Sequence, residues 1–225
     1  MVIFLGKSAS LQNRELKRVP KLNSPLKTAA HELSNFICNK TKQNKMTSVL
    51  IAPSDFPSKN LDFSNQNRAI CQIRTISGLV TPAQGLSDLS IGASLEYAIK
   101  ILNTKHIFQI THTDCSFIQG LIDPENSDSK IMTMGDFLPK LLALAGQAIS
   151  GSLMSHRHDD RKRYLVEELL RVGFENLMTY PWILDKVWAN QLELHGCYID
   201  GETDAVRIFS PITDKFESVK NHSNC

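Results

Sequence analysis

Residues 94–122 read SLEYAIKILNTKHIFQITHTDCSFIQGLI, and this stretch decides how the rest of the chain is read. Leu95, Ala98/Ile99 and Leu102 recur at helical spacing, which predicts a helix opening at Ser90 or Gly92 and ending near Asn103. An apolar, β-branched run from His106 to Thr111 follows at once and predicts a buried strand. The strand breaks into His112-Thr113-Asp114-Cys115. Imidazole and thiolate are the ligand types Zn²⁺ favours, so a strand ending in His-x-x-Cys has the look of half a metal site.

Upstream, SVLIAP (Ser48 to Pro53) is a short apolar strand closed by proline, and AICQIR (Ala69 to Arg74) is a second strand. Loops fill the polar, turn-rich residues between them and those that follow through Gly85. Earlier still, Ser24-Pro25 offers an N-cap and a first-turn proline, and Leu26, Ala29/Ala30, Leu33 and Phe36/Ile37 predict an amphipathic helix from Pro25 to Ile37. Downstream, Asp136 caps an apolar helix expected to reach Ile149. The charged loop Ser155 to Arg163 leads to a long helix built on Leu165, Leu169/Leu170, Val172 and Leu177, and Pro181 starts a further helix. LELHGCYI and AVRIF are strands joined by the turn from Asp200 to Asp204. Alternation of strand, helix and strand is the βαβ signature of a mainly parallel sheet flanked by helices.

The chain has 225 residues, 42% of them hydrophobic and 21% charged, which suits one α/β domain and neither a disordered nor a fibrous architecture. The apolar run Val2 to Leu5 is too short for a signal peptide or a membrane span, so no transmembrane segment is expected. Five widely spaced cysteines with no Cys-x-x-Cys pair suit a reducing compartment, read as the cytoplasm. Nine Lys/Arg stand against Glu15 and Glu32 in the first 45 residues, although the whole chain carries only +2. The expected organisation is therefore a basic arm with its helix over 1–45, an α/β domain over 46–215 and a polar tail over 216–225. An arm of this charge could grip nucleic acid, an anionic membrane or an acidic partner, but without interleaved aromatics it reads first as a solvated segment, and nucleic acid is not an expected partner.

Taken together, a strand ending in Ser-Asp, a strand ending in Arg, a helix containing SLEYAI, a strand ending in His-x-x-Cys and a late LHG strand resemble the β-class carbonic anhydrases over Met46 to Phe209. QIRTISGLV (Gln72 to Val80) stands where the family has an Arg-Asn-Ala-Gly run, and LELHGCYID (Leu192 to Asp200) where it has a His-Gly strand. The resemblance implies the family's α/β fold, packing of the N-terminal helix across a partner in a homodimer or higher homo-oligomer, and zinc as cofactor. It also implies reversible hydration of CO₂ to bicarbonate. In the family the first strand ends Cys-Ser-Asp-Ser-Arg, with the Cys on zinc and the Asp and Arg paired beside it. Here that place reads Pro53-Ser54-Asp55-Phe56-Pro57. Proline offers neither thiolate nor side-chain donor, so the ligand and the dyad arginine are both lost. Thr111 and Ser116 likewise stand where the family has glycines.

Losing the arginine frees Asp55, and a carboxylate is an acceptable zinc ligand, so an Asp55/His112/Cys115 set would restore three ligands. Asp55 would then no longer position the zinc-bound water, the role the resemblance gives it. The bland alternative for Asp55 is a cap on the turn after its strand. Cys71 and His195 are further ligand candidates, expected in strands with packed side chains. His156 and His158 read as a solvated loop, Trp182 and Trp188 as packing or interface residues, and Cys225 as a tail thiol. The leading expectation is a catalytically impaired or inactive member that keeps the fold for binding or regulation. An active zinc hydrase running on the altered site is the alternative, and a basic-arm nucleic-acid or membrane binder comes third.

Overall fold

The computed structural model describes residues 25–41, 48–56, 70–83, 89–123, 143, 146, 150–151 and 158–219. Pro57, His156, Cys225 and most of the helix expected from Asp136 to Ile149 lie outside the described residues.

Strands β1 (Ser48–Pro53) and β3 (His106–His112) are buried at every position, as their uninterrupted apolar runs require of strands covered on both faces. They lie at the centre of a six-stranded sheet with the order β2-β1-β3-β4-β5-β6, where β2 is Ile70–Thr75, β4 Glu193–Asp200, β5 Ala205–Ser210 and β6 Lys215–Ser218. β2, β1, β3 and β4 run parallel, and β5 and β6 return antiparallel. The sequence carried no sign of β6, a four-residue strand too short to show alternation.

Side chains alternate across the sheet and so divide the core. On one face Leu50, Phe108, Ile110, Cys197 and Ile199 meet Ala29, Ala30, Leu33 and Ile37 of helix α1 (Pro25–Thr41). The apolar face of α1, expected to need a partner subunit, is thus buried on its own sheet: those four positions are at most 1% exposed. On the opposite face Val49, Ile51, Ile73 and Ile107 pack beneath helix α2 (Leu89–Glu96) and its π-helical continuation Tyr97–Ile101. Helix α3 (Ser116–Ile122), which the sequence reading missed, packs with α4 (His158–Met178) in a cluster that includes Tyr198 and Phe216. Helix α5 (Pro181–Trp188) completes that layer through Ile183.

The segment after β2 shows why a glycine is needed at its end. Gly78 has φ +73°, and a Cβ there would stand 2.5 Å from the carbonyl oxygen of Ile110. Side chains satisfy the backbone of this segment: Gln109 Nε2 donates to Gly78 O (3.0 Å), Asn176 Nδ2 to Val80 O (2.7 Å) and the Tyr180 hydroxyl to Thr81 O (3.0 Å). The result fixes the carboxyl ends of β1, β2 and β3 beside one another.

Candidate metal centre

β1 ends at Pro53, and a turn closed by the Phe56 N–H on Pro53 O (3.0 Å) carries the chain back. One residue of β2 clamps this turn: Arg74 Nη1 donates to Pro53 O (3.0 Å) and Phe56 O (3.2 Å). Its guanidinium also lies 5.9 Å from the centre of the Phe56 ring. Arg74 was legible as a strand-ending arginine, but not as the residue that holds the turn. With the turn fixed, Asp55 faces the first turn of α3, where Oδ2 accepts the Ser116 N–H at 2.7 Å. The N-cap residue Cys115 makes no side-chain capping bond of its own, so Asp55 caps α3 from 61 residues away. The carboxylate thus caps a distant helix, a role the sequence reading did not include.

His112 ends β3 on the α1 face and is 3% exposed. The backbone beyond it is pinned to the end of β4: the Thr113 N–H donates to Ile199 O (3.1 Å), and Gly201 N–H donates to the Thr113 hydroxyl (2.8 Å). A side chain at 201 would displace the exposed Asp114 carboxylate, which lies against this glycine. Phe56 stands edge-on to the imidazole with ring centres 5.6 Å apart and covers it on that side. Both ring nitrogens of His112 are buried and complete no hydrogen bond, an arrangement that costs about 1–3 kcal/mol per unsatisfied group unless something binds there. Nε2 lies 3.5 Å from Asp55 Oδ1.

Cys115 is 1% exposed. Burial, with the Asp55 charge adding to it, pushes its thiol up to about 12, so the thiol is protonated at neutral pH until a cation displaces the proton. Burial works to raise the Asp55 carboxyl too. The neighbouring His112 imidazole and the Ser116 N–H outweigh burial and hold it well below the usual carboxylate range. The site therefore presents an anion, a buried imidazole that completes no hydrogen bond and faces that anion, and a thiol, with one donor atom from each within 4.8 Å of the others. A zinc ion bonds N and O at about 2.0–2.2 Å and S at about 2.3 Å, so its ligand atoms stand roughly 3.3–3.8 Å apart. The Asp55–His112 separation of 3.5 Å falls in that range, Cys115 Sγ lies within 4.8 Å of both, and the three are donors of the types zinc takes.

Other candidates fall elsewhere. Cys71 is a half-buried residue of β2, and His195 lies in β4 stacked on Phe108, both packed in strands as expected. Pro53 is buried at the end of β1, its ring beside Gly78. Trp182 packs against the core while Trp188 is 74% exposed. Among the described residues no helix is long and apolar enough to cross a membrane.

This arrangement of sheet and site has relatives. A family model described as carbonic anhydrase matches residues 58–206, a span that begins just past Asp55 and contains His112 and Cys115. Beta carbonic anhydrase 3 of Arabidopsis thaliana is 29% identical over 147 residues, which cover 64% of this chain and 55% of that one. The plant's mitochondrial beta carbonic anhydrase 6 is 30% identical over 129 residues, 56% of this chain and 43% of that one. The chain thus spans about half the length of these two relatives. A carbonic anhydrase of Helicobacter pylori is 25% identical over 200 residues, 82% of this chain and 88% of that one. Among solved structures, the β-carbonic anhydrase CcaA is similar with a TM-score of 0.64 at 20% identity, covering 82% of this chain and 89% of that one. Tetrameric β-carbonic anhydrases from Sordaria macrospora give 0.56 at 20% identity, covering 81% of this chain and 95% of that one. The structural likenesses speak for the fold alone, and the family match spans well over half of the sequence: the chain belongs to the carbonic anhydrase family, in its β class.

Proposed function

We propose that this β-carbonic anhydrase-like chain binds zinc through Asp55, His112 and Cys115, and that its capacity for the family reaction, reversible hydration of CO₂, is impaired or lost. One observation carries the metal reading: three donors of zinc type lie within 4.8 Å of one another, and one is a buried imidazole whose nitrogens complete no hydrogen bond. When bound, zinc would supply a Lewis acid that makes water nucleophilic near neutral pH, provided three protein ligands leave a fourth position open.

The chain's own residues set the geometry. The Ser116 N–H holds Asp55 Oδ2, which leaves Oδ1 turned to His112 Nε2. Arg74 keeps the turn that carries Asp55 from relaxing, and Cys115 gives up its proton as the cation enters. The impairment follows from the same contacts. With one oxygen capping α3 and the other facing the ligand set, Asp55 has no oxygen left to position water, and Pro53 supplies no thiolate to release it.

The test is metal analysis and stopped-flow CO₂ hydration on the purified full chain. Cys115→Ser is expected to lower zinc by one equivalent per chain, while wild-type hydration stays below the roughly 10⁴ M⁻¹s⁻¹ at the low end of typical enzyme kcat/KM values. Unchanged zinc in folded Cys115→Ser protein would remove the metal reading. Hydration at full enzyme rates, lost with the zinc, would instead establish the second reading, an active hydrase on the altered site. The 33% exposure of the Asp55 side chain, which leaves the site an open side, favours that reading.

We also propose assembly as a homodimer or larger. The tetrameric Sordaria proteins support it, as do Leu89, Tyr97 and Ile101, which are 82%, 56% and 67% exposed along α2 and its π-helical continuation. For the compartment we retain the reading of a reducing one such as the cytoplasm, supported by Cys71, Cys115 and Cys197 forming no disulfide.

A further inference from the structure

At the amino-terminal edge of the sheet lies a second cluster of metal-ligating side chains, made by strand register and alternation. His106 opens β3, and Glu193 opens β4 directly beside it; His195 follows two residues later, beside Phe108. Residues two apart on a strand share a face, so Glu193 and His195 stand on the side of the sheet that His106 occupies, beneath α1. His106 and His195 are each 9% exposed, and Glu193 has a side chain 61% exposed that reaches the pair from solvent.

Three atoms converge there. His106 Nδ1 is 3.2 Å from His195 Nε2, and the same Glu193 Oε2 lies 3.8 Å from the first and 3.5 Å from the second. Two nitrogen or oxygen ligands of one tetrahedral zinc ion stand about 3.3–3.5 Å apart. The edges of this triangle, 3.2, 3.5 and 3.8 Å, lie within about 0.3 Å of that spacing and leave a point about 2.0–2.2 Å from every corner. The His195 ring is held for this by stacking on Phe108, with ring centres 4.5 Å apart and planes 16° apart, and by an edge contact from Phe36 of α1. Burial lowers the proton affinity of both imidazoles, and Lys40 lowers it further, against a Glu193 charge that raises that of His106.

We propose that His106, His195 and Glu193 form a second metal site, for a borderline divalent cation such as Zn²⁺. It differs from the Asp55 site in chemistry, having two imidazoles, one carboxylate and no sulfur. It lies roughly 20 Å away, at the other end of β3. No proton need leave on binding: whichever ring donates across the 3.2 Å contact moves that proton to its own second nitrogen, freeing the first as ligand. An ion held by His106 of β3 and by Glu193 and His195 of β4 would join the two strands.

The absence of sulfur makes the site separable by spectroscopy. Full-length protein stripped with chelator is titrated with Co²⁺, following absorbance and heat. A thiolate ligand gives an intense near-ultraviolet charge-transfer band, whereas an imidazole/carboxylate set gives only weak visible bands. The wild type is expected to take two equivalents. Cys115→Ser should lose the charge-transfer band and retain one equivalent. Glu193→Gln, at an exposed position, should retain the band and bind the second equivalent at least tenfold more weakly. His195→Gln should act likewise, with folding checked by circular dichroism. Folded Cys115→Ser protein that takes no Co²⁺, or a Glu193→Gln titration identical to wild type, would overturn the second site. Loss or absence of the charge-transfer band bears only on the Asp55 site, so either site can fail alone.

Discussion

Asp55 serves two neighbours with two oxygens, and substitution can separate them. Oδ2 caps α3 through the Ser116 N–H, and Oδ1 faces His112. Asn keeps an acceptor for the cap and removes the anion; Ala removes both. Asp55→Asn is therefore expected to leave urea stability within about 0.5 kcal/mol of wild type while weakening zinc binding at the site at least tenfold. Asp55→Ala should add a loss of about 1 kcal/mol in stability, the usual worth of an N-cap. Equal stability of the two variants would show that the Ser116 contact contributes nothing. His-x-x-Cys was legible because its residue types and spacing are local. The cap was not, because an acceptor 61 residues from its donor leaves no pattern in the chain. The burial of the His112 ring depends on Phe56 and the turn clamped by Arg74, which only packing reveals.

Among the elements, α1 is the one whose placement departs from expectation. Ala29, Ala30, Leu33 and Ile37 were readable as an apolar stripe, but a stripe does not say which surface covers it. Here the sheet of the same chain does. Leu33 is fully buried, so Leu33→Ala should cost about 3 kcal/mol in urea unfolding, with a loss that stays the same across a hundredfold range of protein concentration. A loss that grows on dilution would place the helix on a partner subunit instead. β1 and β3 were legible because strands buried on both faces write continuous apolar runs. α3 was missed because its seven residues make barely two turns and show no period. The π-helical turn at Tyr97–Ile101 was equally hidden: the sequence gives an ordinary helical spacing there, and the helix ends at Asn103, whose φ of 52° is the left-handed geometry asparagine tolerates at a helix terminus.

At the scale of the molecule, the parallel strands place one candidate site at each end of β3, and the antiparallel β5 and β6 close the sheet on the far side of β4. A charged contact adds to the apolar packing that ties that side to the helical layer. Asp200, 1% exposed at the end of β4, accepts Arg163 Nε at 2.8 Å from the first turns of α4, and Arg163 Nη2 also reaches Glu202 at 2.9 Å. The other Asp200 oxygen accepts the N–H groups of Glu202 and Thr203. Burial alone would raise the Asp200 carboxyl, but Thr203, the Arg163 charge and those N–H groups together lower it. The folded state thus binds its proton at a lower pH than the unfolded chain, whose Asp titrates near about 3.9. The stability this supplies is fully present above about pH 4 and is lost as pH falls through the lowered folded value. Asp200→Asn preserves an acceptor for the turn and deletes the charge, and it should cost about 2 kcal/mol at pH 7. That is less than the roughly 3–5 kcal/mol of a fully buried pair, because Arg163 is 30% exposed. Urea unfolding of both proteins from pH 7 down to about pH 3 should show the difference steady to about pH 4 and shrinking below it, as protonated Asp200 comes to resemble the variant. A difference that persists unchanged at the acid end would mean that side-chain shape, and not the ion pair, joins α4 to the end of β4.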